Sequence, residues 1–151
     1  MFKSYIISIN ISEKKGETKK PVDKAILKEN WGIIGDAHAG NWHRQISMLS
    51  AESIEKMRKY GYEINYGDFA ENITIKNGEI HKFPIGTKVK IGNALLEITQ
   101  IGKKCHLSCA ISKKIGKCIM PIEGIFLKVI KGGEIKINDE VIFYLEEEQS
   151  A

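Results

Sequence analysis

The sequence predicts a mainly β domain with one or two short helices, whose strands form a closed or nearly closed β-barrel. About eight short stretches of alternating or β-branched apolar residues are separated by turn-forming residues, and only one segment has helical periodicity. A barrel is favoured because closure leaves no unpaired strand edges. With 151 residues and 42% hydrophobic content, the chain is predicted to be one domain spanning residues 1–151. Its core is expected at residues 2–145, followed by a frayed acidic tail at 146–151.

The strands of the first half are separated by two irregular segments. Residues 12–21 are polar and contain glycine and proline, so their four lysines are predicted to lie on a solvated surface loop. Residues 32–40 carry too many glycines for a regular element. On the first strand, alternation predicts that Ile7, Ile9 and Ile11 share a face. Strands are predicted at residues 2–11, 22–28 and 45–49.

A helix of about three turns is predicted after Ser50. The Ser50 hydroxyl is suited to accept a hydrogen bond from a free backbone N–H of the first turn. Glu52 favours the positive end of the helix dipole, and the basic residues that follow favour the negative end. Gly61 is a natural residue for ending this helix.

The second half of the chain is predicted to consist of strands and tight turns. Asn77-Gly78 is a strong turn signal, and Gly92-Asn93 joins two alternating segments into a hairpin. A further turn is expected at residues 138–139. The predicted strands are residues 69–76, 87–91, 94–101, 125–130, 134–137 and 141–145.

Composition narrows the class of function. A formal net charge of +4 is too small for a dedicated nucleic-acid binder, although it favours a small anionic ligand. No apolar stretch approaches the roughly 18 residues of a membrane helix, and the start of the chain lacks the features of a signal peptide. The three cysteines are therefore expected to be thiols, and the protein is expected in the cytoplasm.

Two cysteines lie in a polar segment with adjacent basic residues. Cys105 and Cys109 are four positions apart, and Lys103 and Lys104 precede them. A cysteine reacts as the thiolate, and nearby positive charge lowers the pKa of a thiol. The pair could therefore hold a soft metal or a transferred sulfur atom. The alternative is that one or both cysteines only fill the core, as cysteines often do.

A structural zinc site is a weaker interpretation of the same region. Its ligands would be Cys105, His106, Cys109 and Cys118, but the spacing does not give the two paired halves typical of such sites. Cys118 and Met120 are interpreted as core residues.

A glycine-rich segment offers a second candidate cluster. Asp36 and His38 lie between Gly35 and Gly40, and Arg44 follows closely. The two side chains can orient each other, while a guanidinium can bind a phosphate or carboxylate through two hydrogen bonds. The competing interpretation is that Asp36 and His38 only stabilise a turn.

Residues 67–72 form the third cluster. A buried Asn72 can present both a donor and an acceptor to the edge of a heterocycle, and Glu71 precedes it. Residue types alone favour the alternative, that Asp68 and Asn72 cap or bridge loops.

In their order along the chain, these segments resemble the MOSC family, the molybdenum-cofactor sulfurase C-terminal domains. The resemblance covers most of the chain, from residue 32 to residue 142. The matching strings are GIIGDAHAG, RQISMLS, GDFAENITI, IGTKVKIGNALLEITQIGKKCHLSCAI, GKCIMPIEGIF and GGEIKINDEV.

The resemblance implies a barrel of the pyruvate-kinase type and a pocket for the molybdenum cofactor, molybdopterin. It implies a reactive cysteine that carries sulfur as a persulfide or ligates molybdenum, with Cys109 the first choice, also as the candidate metal ligand, and Cys105 the second. Asp36 and His38 would orient groups or deliver a proton. The cofactor-binding residues it implies are Arg44, Gln45, Glu71, Asn72, Lys103, Lys104 and His106.

The resemblance also implies how such a chain would work. A stand-alone domain of this family would be a cofactor-binding or sulfur-carrier protein, supplied by a pyridoxal-phosphate cysteine desulfurase. It would bind no pyridoxal phosphate itself, and would act with cofactor-biosynthesis proteins or molybdoenzymes. Two alternatives stay open: a molybdenum-dependent reductase of N-hydroxylated compounds with a separate electron donor, and a non-catalytic binding module. No nucleic-acid or membrane partner is expected.

Overall fold

A computed structural model of the protein describes residues 1–102 and 123–145. Within these ranges the chain forms strands, one α-helix and one short 3₁₀ helix, Ile80–Lys82. The helix α1 spans Ala51–Arg58. The strands are β1 (Phe2–Ile11), β2 (Lys20–Val22), β3 (Lys24–Lys28), β4 (Gly32–Ile33), β5 (Ile46–Ser50), β6 (Ile73–Ile75), β7 (Lys88–Ile91), β8 (Ala94–Ile101), β9 (Ile125–Lys131), β10 (Gly133–Lys136) and β11 (Glu140–Phe143).

Seven strands close into a barrel in the order β11-β7-β8-β9-β5-β6-β1. The pairing of β1 with β11, from Phe2 opposite Phe143 to Tyr5 opposite Glu140, completes the ring. Neighbouring strands are antiparallel except β5 and β6, which run parallel. An eighth strand, β2, pairs with the far end of β1. The predicted fold class, a mainly β chain forming a closed barrel, is confirmed.

A smaller antiparallel sheet, β10-β3-β4, packs against the barrel. Leu27, Ile33 and Ile135 of this sheet belong to the same buried cluster as the barrel interior. Burying a side chain of this size stabilises the fold by about 1.5–3 kcal/mol. The two sheets therefore share one core.

The predicted alternation along β1, with Ile7, Ile9 and Ile11 on one face, is only partly observed. Ile9 is fully buried, but Ile7 and Ile11 are only half-buried. The pairing of β1 with β6 shifts register between Ile6 and Ser8, which breaks the simple alternation of faces. Polar side chains of this strand, such as Asn10, consequently point inward.

The predicted helix begins where expected and is shorter than expected. The Ser50 hydroxyl accepts a hydrogen bond from Glu52 N at 3.1 Å, which confirms the predicted N-cap. The helix ends at Arg58 after about two turns, and Gly61, with φ of 90°, lies beyond its C-cap residue Lys59. Neither helix in the described ranges is long and apolar enough to cross a membrane.

Two predicted strands are interrupted. The expected strand at 22–28 is split at Asp23, because β2 pairs with β1 whereas β3 pairs with β10 in the other sheet. The expected strand at 69–76 contains only β6, because Ala70 has a φ of 63° and cannot continue an extended chain. The hairpin of β7 and β8 and the turn at 138–139 are confirmed.

Candidate functional site

A buried lysine lies at one end of the barrel, where a solvated loop was predicted. Lys19 is 1% exposed, whereas Lys14, Lys15 and Lys20 of the same polar run are exposed as expected. Its Nζ lies 2.8 Å from Asp36 Oδ1, 2.9 Å from Ser12 Oγ and 2.9 Å from His38 Nδ1. The prediction for Lys19 was wrong because an acidic partner distant in sequence removes the cost of burying its charge.

Asp36 is the acceptor around which this cluster is built. In addition to the Lys19 ammonium, its carboxylate accepts hydrogen bonds from Ser12 N at 3.1 Å and His38 N at 3.0 Å. Burial raises the pKa of Asp36, but the charge and hydrogen bond of Lys19, helped by these two N–H donors, hold the pKa below its ordinary value. Asp36 is therefore a carboxylate, and with Lys19 it forms a buried ion pair.

His38 lies between this ion pair and the surface. Its side chain keeps 18% exposure, and its Nδ1 is 3.9 Å from Asp36 Oδ2. The carbonyl of His38 accepts a hydrogen bond from Trp42 Nε1 at 2.8 Å. Trp42 thus links the buried cluster of Lys19, Asp36 and His38 to the part of the chain that leads to Arg44.

Arg44 lies on the other side of Trp42. Its guanidinium carbon is 4.7 Å from the centroid of the Trp42 ring and 5.6 Å from that of Phe126. The Nε atom is buried and has no hydrogen-bond partner among residues 1–102 and 123–145. A buried N–H without a partner is unusual, and an anion bound here would supply an acceptor for it.

The segment that contains the predicted cysteines begins close to the loop that carries Arg44. Residues 103–122 connect β8 to β9, and Gly102 N donates a hydrogen bond to Gly124 O at 2.7 Å across this connection. The Gln100 amide donates to Gly102 O at 2.7 Å, and its Oε1 lies 2.8 Å from His43 Nε2. The start of the cysteine segment is therefore tied to the residue preceding Arg44.

The end of that segment is fixed to helix α1. Glu123 accepts a hydrogen bond from Ser53 Oγ at 2.6 Å and pairs with Lys56 Nζ at 2.9 Å. Burial raises the pKa of Glu123, but these two partners lower it below its ordinary value. Both flanks of residues 103–122 are thus held by specific contacts.

The predicted site residues in the cysteine segment lie outside the described residues. They are Lys103, Lys104, Cys105, His106, Cys109 and Cys118. Within residues 1–102 and 123–145, no cluster of three or more His, Cys, Asp or Glu side chains could hold a metal ion. The zinc and molybdenum-ligand hypotheses both concern the part of the chain outside these ranges.

Asn72 bridges strands through its side chain. Its Oδ1 accepts from Ser47 N at 3.0 Å and Ser47 Oγ at 3.2 Å, and its Nδ2 donates to Asn10 O at 3.1 Å. The residue is fully buried. These contacts replace ladder hydrogen bonds where the chain enters β6, so the loop-bridging interpretation describes Asn72 well.

Gln45, like Asn72, bridges separate elements of the fold through its side chain. Its Oε1 accepts from Val129 N at 2.8 Å, and its Nε2 donates to Asn30 Oδ1 at 3.2 Å. The side chain is fully buried between the barrel and the small sheet. Contact of Gln45 or Asn72 with a cofactor stays a prediction.

Glu71 is a fully buried carboxyl group. It accepts hydrogen bonds from Gly67 N at 3.0 Å, Phe69 N at 3.2 Å and Thr74 Oγ1 at 3.2 Å. Burial raises its pKa to about 7, although the backbone N–H of Gly67 and the other donors act in the opposite direction. Glu71 therefore holds the turn of residues 67–71 while titrating near neutral pH.

A cavity of about 450 Å³ opens beside Ser12 and Gly35. Its other lining residues are Ile11, Glu13, Glu17, Thr18, Lys20 and Val22. The two glutamates disfavour a phosphate here. The surroundings of Arg44 are therefore the better place for an anion.

The structure places Asp36 in contact with His38 and links Arg44 to them through Trp42, but the residues that make these connections were missed. Lys19, Trp42 and Ser12 supply those connections. The available signal was the alternation of polar residues along β1, which continues to Ser12 and indicates a polar interior at this end.

Comparisons with known proteins agree with this fold. A sequence model described as MOSC domain matches residues 35–142. The crystal structure of the YUAD protein from Bacillus subtilis aligns with a TM-score of 0.76 over 93% of this chain and 94% of that one, at 19% identity. YiiM from Geobacillus stearothermophilus and from Escherichia coli both align with a TM-score of 0.70, at 19% and 14% identity, covering 94% and 97% of this chain and 75% and 71% of theirs. No curated protein matches the sequence.

The titration of Glu71 makes stability depend on pH. Its pKa is about 7 in the fold and near the ordinary 4.5 in the unfolded chain, so between these values the folded state binds more protons. The free energy of unfolding should therefore fall by roughly 3 kcal/mol as pH rises through this window. In Glu71→Gln this fall should vanish, whatever constant penalty the amide introduces.

Denaturant unfolding across this pH range measures the effect, with Glu29→Gln at an exposed position as the control. The control should keep the wild-type pH profile. Parallel profiles for the wild type and Glu71→Gln would show that Glu71 does not titrate with a raised pKa.

Proposed function

The chain belongs to the MOSC domain family, which is linked to the molybdenum cofactor, and we propose that it binds a molybdopterin-type cofactor at the barrel end carrying Asp36, His38 and Arg44. One observation carries the proposal. The loop that bears Arg44 is hydrogen-bonded, through His43 and Gln100, to Gly102, where the cysteine segment begins. The candidate anion-binding group thus lies close to Gly102, the residue that precedes the segment of the candidate sulfur-carrying cysteines.

The residues at this end fit an anionic cofactor. Arg44 presents a buried Nε that lacks a partner in the described ranges, and its guanidinium is already oriented by two aromatic rings. Such preorganisation reduces the entropy that binding must overcome. Arg44 would bind the phosphate of the cofactor, assisted by Lys103 and Lys104.

The charge balance supports the same arrangement. Lys19 and Asp36 neutralise each other in the interior, so their pair adds no net charge. Lys15 Nζ lies 4.6 Å from the centroid of the Trp42 ring, on which Arg44 also stacks. Two cations thus gather around one aromatic side chain, and they favour a negatively charged ligand.

We further propose that Cys109, with Cys105 as second choice, carries sulfur for this cofactor. The Cys109 thiolate would attack the outer sulfur of a persulfide on a cysteine desulfurase. A new S–S bond then forms on Cys109, and the donor cysteine leaves as a thiolate, so no external oxidant is needed. Lys103 and Lys104 would favour the thiolate form.

The proposed role defines the partners. The sulfur donor would be a pyridoxal-phosphate cysteine desulfurase, and the recipient a cofactor-biosynthesis protein or a molybdoenzyme. When bound, the cofactor would supply the redox or sulfur-accepting chemistry. The chain itself would bind the phosphate through Arg44 and place His38 close by as a hydrogen-bond donor.

Replacing Arg44 tests the cofactor-binding proposal. Arg44→Met should weaken binding of molybdopterin about 10- to 100-fold, because a charge-assisted hydrogen bond contributes about 1.5–3 kcal/mol. Arg58→Met is the matched control, since Arg58 also stacks on an aromatic ring, Tyr66, but at the end of helix α1. Fluorescence titration of the cofactor-free protein measures both affinities.

Arg58→Met should bind as the wild type does. Unchanged affinity in Arg44→Met, or equal losses in both variants, would contradict the assignment of Arg44 to the cofactor phosphate.

Replacing each cysteine tests the sulfur-carrier proposal. After incubation with a cysteine desulfurase and free cysteine, intact-protein mass spectrometry should show addition of one sulfur atom. Cys109→Ser should abolish most of this addition, and Cys105→Ser should reduce it. Cys118→Ser, the control, should leave it unchanged.

Peptide mapping then locates the added sulfur. Sulfur on Cys118 alone, or no gain on either Cys105 or Cys109, would contradict the proposal and favour cysteines that only pack.

A further inference from the structure

The hydrogen bonds around Lys19 constrain the protonation of His38. An ammonium group has three N–H donors and no acceptor. Three acceptors lie within 2.9 Å of Lys19 Nζ, namely Asp36 Oδ1, Ser12 Oγ and His38 Nδ1. If Lys19 is charged, the ring nitrogen facing it must accept and cannot carry a proton.

The charge of Lys19 follows from Asp36. This carboxylate is shielded from solvent, and the hydrogen bonds from Ser12 N and His38 N leave the ammonium as its one close cation among the described side chains. A neutral Lys19 would leave a buried negative charge without compensation, which is strongly unfavourable. The ion pair therefore keeps Lys19 protonated.

A protonated His38 ring does not fit the same geometry. A proton on Nδ1 would point at the Lys19 ammonium 2.9 Å away. Among the described side chains, the carboxylate oxygen Asp36 Oδ2 is 3.9 Å from Nδ1 and already accepts from His38 N. Two adjacent cations would then share one carboxylate in a largely buried cluster.

We propose that Lys19 acts as a positioning residue that holds His38 as a neutral imidazole with its proton on Nε2. The ring then offers a hydrogen-bond donor, and not a base, through its distal nitrogen. Asp36 contributes by keeping Lys19 charged, and Ser12 by accepting one of its N–H groups. The identity of a ring tautomer is set by the hydrogen bond that its other nitrogen makes.

This tautomer determines what His38 can do for a ligand. A neutral ring with Nε2–H can donate a hydrogen bond to an oxygen or sulfur atom of an anionic ligand, but it keeps the proton, because losing it would leave an imidazolate. The use of this donor by a molybdopterin-type cofactor rests on the proposed function. The tautomer itself rests only on the contacts of Lys19.

Nitrogen-15 NMR of the histidine side chains tests the inference on the full chain at neutral pH. In the wild type, His38 should show an unprotonated Nδ1 and a protonated Nε2. The double variant Lys19→Met/Asp36→Asn removes both charges together, so no unpaired charge remains buried. Its His38 should lose this single tautomer and shift towards a mixture, because Met cannot donate to Nδ1.

Lys20→Met is the matched control, since it removes the neighbouring, exposed lysine. It should leave the His38 signals unchanged. A wild-type spectrum with His38 protonated on Nδ1 would overturn the proposal, even if no variant folds. So would a double variant that keeps the wild-type tautomer in full.

Adding molybdopterin to the wild type separates this inference from the proposed function. A shift of the His38 Nε2 signal supports both. If Nε2 is protonated but its signal does not respond to the cofactor, the proposed use of His38 fails, whereas its tautomer stands.

Discussion

The buried ion pair between Lys19 and Asp36 holds one end of the barrel together. It joins the segment after β1 to the loop after β4, since Ser12 contacts both partners and Ala37 N donates to Ser12 O at 2.8 Å. The backbone of Lys19 also docks on the turn before β6, with Lys19 N donating to Gly67 O at 2.8 Å. A Cβ at Gly67 would lie 2.2 Å from Lys19 O, so the close approach requires glycine.

From this pair, a continuous set of contacts leads to the flanks of the cysteine segment. His38 accepts from Trp42, Trp42 stacks on Arg44, and Arg44 lies over Phe126 at the start of β9. The neighbouring His43 reaches the end of β8 through Gln100. The barrel thus positions the irregular segments that carry the candidate site residues. Binding and catalytic residues commonly lie on loops held by a rigid scaffold.

Local signals were sufficient for most of the barrel strands and for several turns, but not for the polar interior. The β7–β8 hairpin and the Ser50 cap depend on neighbours in sequence, and both were predicted correctly. The glycine-rich segment at residues 35–40, with Arg44 closely following it, also indicated that Asp36, His38 and Arg44 belong to one cluster. Burial of Lys19 depends on a carboxylate 17 positions away, which no local pattern reveals. The strand expected before Ile73 gives way to a turn, because Glu71 accepts hydrogen bonds from the backbone of that turn and Asn72 has a tertiary partner in Ser47.

The organising role of the ion pair is tested most directly by a double-mutant cycle in equilibrium unfolding. Lys19→Met and Asp36→Asn should each lower the free energy of unfolding by about 3–5 kcal/mol, because each leaves one charge or polar partner buried without its mate. The double variant should lose clearly less than the sum, with a coupling energy of about 2–3 kcal/mol. Losses that add to within about 0.5 kcal/mol would contradict the account, since they would mean that the two side chains stabilise the barrel end independently.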